Sequence, residues 1–230
     1  MGESSMQPLP EIWREIGSQP RLVDAVPRIV GHLAGLLPIG TLLVRRLDLS
    51  SSQLATVACG TATEGREPEH VRAELNPQRL EKLVAWCRLG RVLRVQAGSR
   101  HPVALAALPE GVGEAALIAP LSDGSGRTGL LVLLASPGRE LTARHERLAA
   151  ELVEPFEAAL RNDGRIEKLE RLRRAMEADK SALLSRLQRQ DIADTIIGAE
   201  TGLKPVIEQV IQVAPTDAPV LILGETGTGK

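Results

Sequence analysis

Apolar residues at Leu22, Val26, Ile29, Val30, Leu33, Leu36 and Leu37 recur at helical spacing from Arg21 onward, which predicts a helix with one face in a core. Pro27 lies inside that run, an unfavourable interior position unless the helix begins near it. Residues 1–20 carry Pro8, Pro10, Gly17 and Pro20 among polar neighbours and read as a loose, weakly packed leader with at most a short helix around Trp13. Gly40-Thr-Leu-Leu-Val-Arg-Arg-Leu47 and residues 53–61 read as an antiparallel hairpin around the turn Asp48-Leu-Ser-Ser-Ser52. Residues 62–74 are charged and irregular. Asn76-Pro77 then opens a helix, Asn as N-cap and Pro at the first helical position. Leu80, Leu83, Val84 and Cys87 line one of its faces and Gly90 ends it. Residues 91–96 alternate as a short strand, and a loop rich in Gly, Pro and His runs to about Gly113.

The clearest strands follow. Ala115-Ala-Leu-Ile-Ala-Pro-Leu121 and Thr128-Gly-Leu-Leu-Val-Leu-Leu134 flank Ser122-Asp-Gly-Ser-Gly-Arg127, whose glycines supply the positive φ that a hairpin reversal needs. A helix begins near the N-cap Thr142, turns Leu148, Leu152, Phe156, Ala159 and Leu160 inward, and bends at Pro155. Beyond Asn162-Asp-Gly164 the composition shifts to Arg, Glu, Leu and Ala. Leu169, Met176 and Leu183 are spaced by seven and Leu172 supplies one d position, while Asp179 and Arg186 break that row. Glu167 with Arg171 and Glu170 with Arg174 stand at i, i+4, an arrangement worth about 0.2–0.5 kcal/mol per pair. The stretch reads equally as a surface linker helix and as a short dimeric coiled coil.

Composition narrows the functional classes. With 43% hydrophobic and 25% charged residues in 230 and a formal net charge of −1, the chain is neither disordered throughout nor a generally basic nucleic-acid binder. No apolar run reaches the ~18 residues of a membrane span and no signal peptide opens the chain, so a cytoplasmic location is expected. Cys59 and Cys87 are far apart and form no metal or redox spacing. Trp13, Trp86 and Phe156 are the only aromatic residues, which leaves few stacking platforms for bases or flat ligands.

The chemistry lies at the C-terminal end. A helical pattern through Leu203, Val206, Ile207, Val210, Ile211 and Val213 precedes the strand Ala218-Pro-Val-Leu-Ile-Leu223, which runs into Gly224-Glu-Thr-Gly-Thr-Gly-Lys230. This is G-x-x-x-x-G-K after an apolar strand, the start of a P-loop. Glycines let successive backbone N–H groups turn toward one phosphate cluster, and Lys230 sets a cation against the β and γ phosphates. The bare motif arises by chance in a chain of this length with probability on the order of 0.1, so context decides. The strand is present. The following helix, a Walker B carboxylate and an arginine finger, which hydrolysis needs, are not, so the chain reads as part of a longer protein and is not expected to hydrolyse ATP by itself.

From Ile196 onward the chain resembles the start of the AAA+ ATPase domain of sigma-54-dependent transcription activators. Ile196-Ile-Gly198, Leu203, Val210, Val213-Ala-Pro-Thr-Asp217 and Val220-Leu-Ile-Leu-Gly-Glu-Thr-Gly-Thr-Gly-Lys230 match as a block. The element order from Arg21 to Leu160 is similar to a GAF sensor domain, and Pro155 to Arg189 resembles the linker of the formate-hydrogenlyase-type activators. The resemblance implies an α+β GAF-type domain, an antiparallel sheet with flanking helices, over residues 21–160 after the leader 1–20. A long linker helix over 161–190 follows, then the first helix and P-loop strand of an α/β AAA+ ATPase domain over 191–230. It implies an ATPase that remodels sigma-54 RNA polymerase and binds enhancer DNA through C-terminal parts. Gly224, Glu225, Thr226, Gly227, Thr228, Gly229 and Lys230 would hold the phosphates of ATP, with Mg2+ in the full-length protein, and Ile197 and Gly198 would lie near the adenine. A homodimer through GAF domain and linker, and a higher oligomer of the full protein, are implied.

A GAF fold holds its ligand between the sheet and a covering loop and helix, here residues 62–113. The polar candidates for an unknown small-molecule effector are Cys59, Arg66, His70, Arg72, Cys87, Arg100 and His101. Each has a plainer reading: the cysteines as small buried hydrophobes, the histidines and arginines as solvated loop residues. Haem, flavin or a metal is not expected, because aromatics are scarce and no convergent ligand set is present. Two other functions stay open, a stand-alone GAF sensor or dimerisation module with a vestigial P-loop tail, and a P-loop enzyme of another kind such as a small-molecule kinase.

Overall fold

The computed structural model describes residues 9–62, 72–122, 128–195, 201–216, 219–221 and 223–225, without the side chains of 128 and 186–195. It divides into two units, Met1–Glu167 and Lys168–Lys230.

In the first unit, α1 (Leu9–Ser18) and α2 (Leu22–Ala34) precede the hairpin β1 (Ile39–Asp48) and β2 (Gln53–Thr61) and the short β3 (Arg72–Glu74). Then come α3 (Pro77–Cys87), β4 (Leu93–Val95), α4 (Pro102–Ala107), the hairpin β5 (Ala116–Ser122) and β6 (Thr128–Ala135), α5 (Ala143–Glu151) and α6 (Val153–Thr195). The strands form one antiparallel sheet in the order β3-β2-β1-β6-β5-β4. Both faces are covered. Leu42, Val44, Leu131 and Leu133 pack against Ile12 of α1, the apolar stripe of α2, and Phe156 and Leu160 of α6. Leu43, Leu47, Leu54, Ile118, Leu130 and Val132 pack against Leu83 of α3 and Val103, Ala104 and Ala107 of α4. Strands buried on two sides need apolar residues at every position, hence the unbroken runs of β5 and β6.

Local chemistry accounts for the ends of the elements. The Asp48 carboxylate accepts hydrogen bonds from the Ser50 N–H (2.9 Å) and hydroxyl (2.6 Å) in the β1–β2 turn, which hold its pKa down to about 2. The Asn76 side chain accepts from the Arg79 N–H at 2.8 Å, and Pro77 fills the first helical position of α3. The chain breaks at Leu152 between α5 and α6, because Pro155 has no N–H to continue the ladder.

The structure departs from the sequence expectations at several points. The leader packs firmly from Leu9: it is α1, and Ile12 is 1% exposed in the core. Helix α2 starts at Leu22 and carries Pro27 inside it, an interior proline outweighed by six buried apolar residues on that helix. The loop expected up to Gly113 contains α4, which the His101 Nδ1 caps by accepting from the Val103 N–H at 3.3 Å, with Pro102 at its first position. The irregular stretch before Asn76 ends in β3, paired to β2. Asn162-Asp163-Gly164 does not interrupt α6. The reversal at 123–127 lies outside the described residues, but its strands pair from Ser122↔Thr128 inward.

In the second unit the only element beyond α6 among the described residues is α7 (Lys204–Val213). Residues 219–221 and 223–225 are in no strand, against the strand expected over 218–223. Val220, Leu221 and Leu223 are more than half exposed. A strand of this composition is stable only between neighbours that take its backbone hydrogen bonds and apolar side chains, and no described residue of the unit supplies one.

Candidate effector site and linker attachment

Adjacent residues of a strand point to opposite faces, and β1 places Arg45 and Arg46 in succession at the middle of a sheet covered on both sides. Arg45 is completely buried on the α3–α4 side. Its Nη1 donates to the Ala107 carbonyl at 2.7 Å and its Nη2 to the Leu54 carbonyl at 3.3 Å, while Nε meets no acceptor. Among the described residues no carboxylate pairs with it. Burial pulls its pKa down to about 10, so it still carries a full positive charge at neutral pH. The β1–β2 register shifts by one residue between Val44 and Arg45, where Arg45 stands opposite Thr56. Thr56 is itself buried. A bulge at this place re-aims side chains locally, and directly opposed residues of a strand pair share a face. Among the described residues the result is one polar spot, Arg45 with Thr56, in an otherwise apolar layer.

Arg46 faces the other side and is fully paired. Its Nη2 meets the Asp163 carboxylate at 3.0 Å and its Nη1 meets Glu167 at 2.8 Å, both on α6. Asp163 is 3% exposed. Its second oxygen accepts from the Leu22 N–H at 3.4 Å and lies 3.3 Å from the Arg21 Nε, so one carboxylate caps α2 and binds two guanidinium groups. Asn162 donates to the Pro20 carbonyl at 3.4 Å. These contacts tie α6 to β1 and to the start of α2 just before the first unit ends at Glu167.

The residues singled out from the sequence are scattered. Cys59 on β2 and Cys87 on α3 are half-buried against the α3–α4 layer. Arg72 is exposed on β3, Arg100 is exposed, and His101 caps α4 from an exposed position. Arg66 and His70 lie outside the described residues, as do Ile197, Gly198, Thr226, Gly227, Thr228, Gly229 and Lys230; Gly224 and Glu225 are exposed. Among the described residues no group of three His, Cys, Asp or Glu could hold a metal ion, and no helix is long and apolar enough to cross a membrane. Arg45 escaped the sequence reading, although two consecutive arginines inside an apolar strand are a usable signal: one must enter each side of the sheet.

Cys87 also lines a half-open cavity of about 400 Å³ with Leu49, Val84, Ser122 and Glu157. Burial pushes its thiol up to about 12, so at pH 8 its thiolate fraction is on the order of 10³-fold below that of an exposed cysteine. Iodoacetamide at pH 8 is expected to leave Cys87 unmodified in the native protein and to alkylate it in urea. Native labelling as fast as in urea would show the thiol to be exposed.

The first unit has the fold of a GAF domain. It superposes on the phycocyanobilin-bound GAF domain of a cyanobacterial phytochrome with TM-score 0.51 and 18% identity, covering 71% of this chain and 97% of that one. The GAF domain of Acinetobacter phosphoenolpyruvate-protein phosphotransferase gives TM-score 0.51 and 17% identity, over 69% and 93%. Residues 196–230 match the sigma-54 interaction domain. The formate hydrogenlyase transcriptional activator of Salmonella typhimurium is 33% identical over 112 residues, 48% of this chain and 16% of that protein. The nitric oxide reductase transcription regulator NorR2 of Cupriavidus necator is 40% identical over 77 residues, 32% of this chain and 14% of that protein. The matched part of the chain therefore spans about a sixth of the length of these relatives. The chain thus joins a unit of GAF fold to a C-terminal segment, residues 196–230, that matches the sigma-54 interaction domain.

Proposed function

We propose that the GAF unit senses a small effector and, through α6, controls an AAA+ ATPase that remodels sigma-54 RNA polymerase at enhancer-bound promoters in the cytoplasm. The observation that supports this best is the course of α6. It starts with Phe156 and Leu160 in the GAF core, passes the buried Asp163, and continues without a break to Thr195, one residue before the sigma-54 interaction domain begins. A helix anchored in a sensor core carries a change of that core along its axis.

In this reading Gly224 to Lys230 hold the phosphates of ATP, through backbone N–H groups and the Lys230 ammonium. Mg2+, hydrolysis, sigma-54 contact and DNA binding are functions of the complete activator. Leu169, Leu172, Met176 and Leu183, all more than half exposed on α6, form the row through which two copies pair. The test is the ATPase rate of the complete activator with and without residues 1–167. A several-fold change on deletion is expected, and Lys230→Ala is expected to abolish turnover in both forms. Equal rates with and without the GAF unit, whatever small molecules are present, would overturn the regulatory reading.

A further inference from the structure

A cation buried without a counter-charge costs several kcal/mol even after relaxation, so proteins surround buried guanidinium groups with carboxylates. The chain does this for Arg46, which meets two. For Arg45, on the opposite face, the described residues supply only two neutral carbonyls, one of them at 3.3 Å, and leave its Nε–H without an acceptor. The Nε–H and the adjacent Nη2 together form the edge of a guanidinium that matches the two oxygens of an oxyanion. Across the strand pair stands the buried Thr56, whose hydroxyl can donate as well as accept. The layer around them is apolar and small, with Ala104, Ala106 and Ala107 on α4.

We propose that Arg45, with Thr56 opposite it, is the recognition group of the GAF unit for a small oxyanion, the carboxylate or phosphate group of the effector. The inference rests on the sensor reading above and names the chemical class of what is sensed. The anion supplies the missing negative charge and takes the Nε–H. The long bond to Leu54 is free to yield to it, and α4, held by the 2.7 Å bond to Ala107, closes over the site.

The experiment is thermal unfolding of the full chain in sodium acetate, sodium phosphate and sodium chloride at matched ionic strength. The effective oxyanion is expected to raise Tm above the chloride value, by roughly 5–10 °C at a hundredfold excess over its Kd. A response to acetate alone identifies a carboxylate, and to phosphate alone a phosphate group. Arg45→Met keeps the side-chain bulk and removes the charge, so it is expected to melt no lower than wild type in chloride and to lose the oxyanion-specific rise. Arg45→Lys is expected to retain part of it, and Thr56→Val to weaken affinity with the charge in place. Wild type showing no oxyanion-specific rise, or Arg45→Met and Thr56→Val both keeping it undiminished, would overturn the assignment. An oxyanion bound at Arg45 that leaves the ATPase of the complete activator unchanged would instead sink the regulatory reading and leave this site standing.

Discussion

Gly60→Ala is expected to destabilise the GAF unit by about 2–3 kcal/mol, at the upper end of what overpacking a core costs. A Cβ on Gly60 would lie 2.9 Å from the Val26 carbonyl oxygen, 3.0 Å from the Pro27 Cα and 3.1 Å from the Pro27 N. All three are backbone atoms of α2, so no rotamer change makes room and the helix must lift from β2. That helix carries Leu22, Val26, Ile29, Val30 and Leu33 into the core, and each is displaced with it. Urea unfolding followed by circular dichroism should show a lower midpoint with an unchanged slope. Two other glycines calibrate the result. At Gly129 the nearest atom to an added Cβ is the end of the Leu160 side chain, which can turn away, so Gly129→Ala is expected to cost less. Gly31 in α2 has nothing within 4 Å, and replacing a helical glycine there should stabilise by roughly 0.5–1 kcal/mol. If Gly60→Ala and Gly31→Ala moved stability alike, the close approach of α2 to β2 would be wrong.

The sequence shows those parts of the fold whose determinants are local. The two hairpins are bounded by turn residues and by period-two or fully apolar runs, and Asn76-Pro77 announces α3 by its own chemistry. The same chemistry announces α4, since His101-Pro102 is again a cap followed by proline, but its six residues are too few to show a helical period and glycines on either side mask it. Pro27 and Asn162-Asp163-Gly164 mislead for the opposite reason. Their local preference is for a break, and tertiary contacts override it: α2 by its buried stripe, α6 by Asp163 meeting two arginines and the Leu22 N–H.

The site was less legible than the fold. Cysteines and histidines attract attention by type, yet the group that is buried and electrostatically incomplete is an arginine, a residue ordinarily assigned to solvent. What reveals Arg45 is its strand context. β1 is central, both faces of the sheet are buried, and a residue beside Arg46 must point away from the carboxylates that Arg46 meets. Composition cannot supply that, because it depends on knowing that helices cover both faces. The expected P-loop is the converse: its residues are read from spacing alone, while the strand expected before it is absent from the described residues 219–221 and 223–225 and needs neighbours that no described residue of its unit supplies.

Asp163→Ala is expected to cost about 2–4 kcal/mol and to loosen the point where α6 leaves the GAF unit. Removing one partner of a buried charged pair typically costs about 3–5 kcal/mol. The lower figure applies because the Arg21 side chain is 32% exposed and can be rehydrated, and because Arg46 keeps Glu167 at 2.8 Å. Asp163→Asn, which can still accept the Leu22 N–H, should lose less. A double-mutant cycle with Arg46→Met isolates the pair, and a coupling energy of about 1–3 kcal/mol is expected for residues in one ion-pair network. Additive single effects would show that Asp163 acts through the α2 cap instead. Hydrogen exchange separates local from global loss: the amides of α6 around Asp163 and those at the start of α2 should lose protection together, before the β1–β6 ladder does. That order bears on the proposed function, since β1 carries Arg45 on one face and Arg46 on the other. In the proposed reading, a displacement of this strand at Arg45 would reach α6 through the very carboxylates, Asp163 and Glu167, that these variants probe.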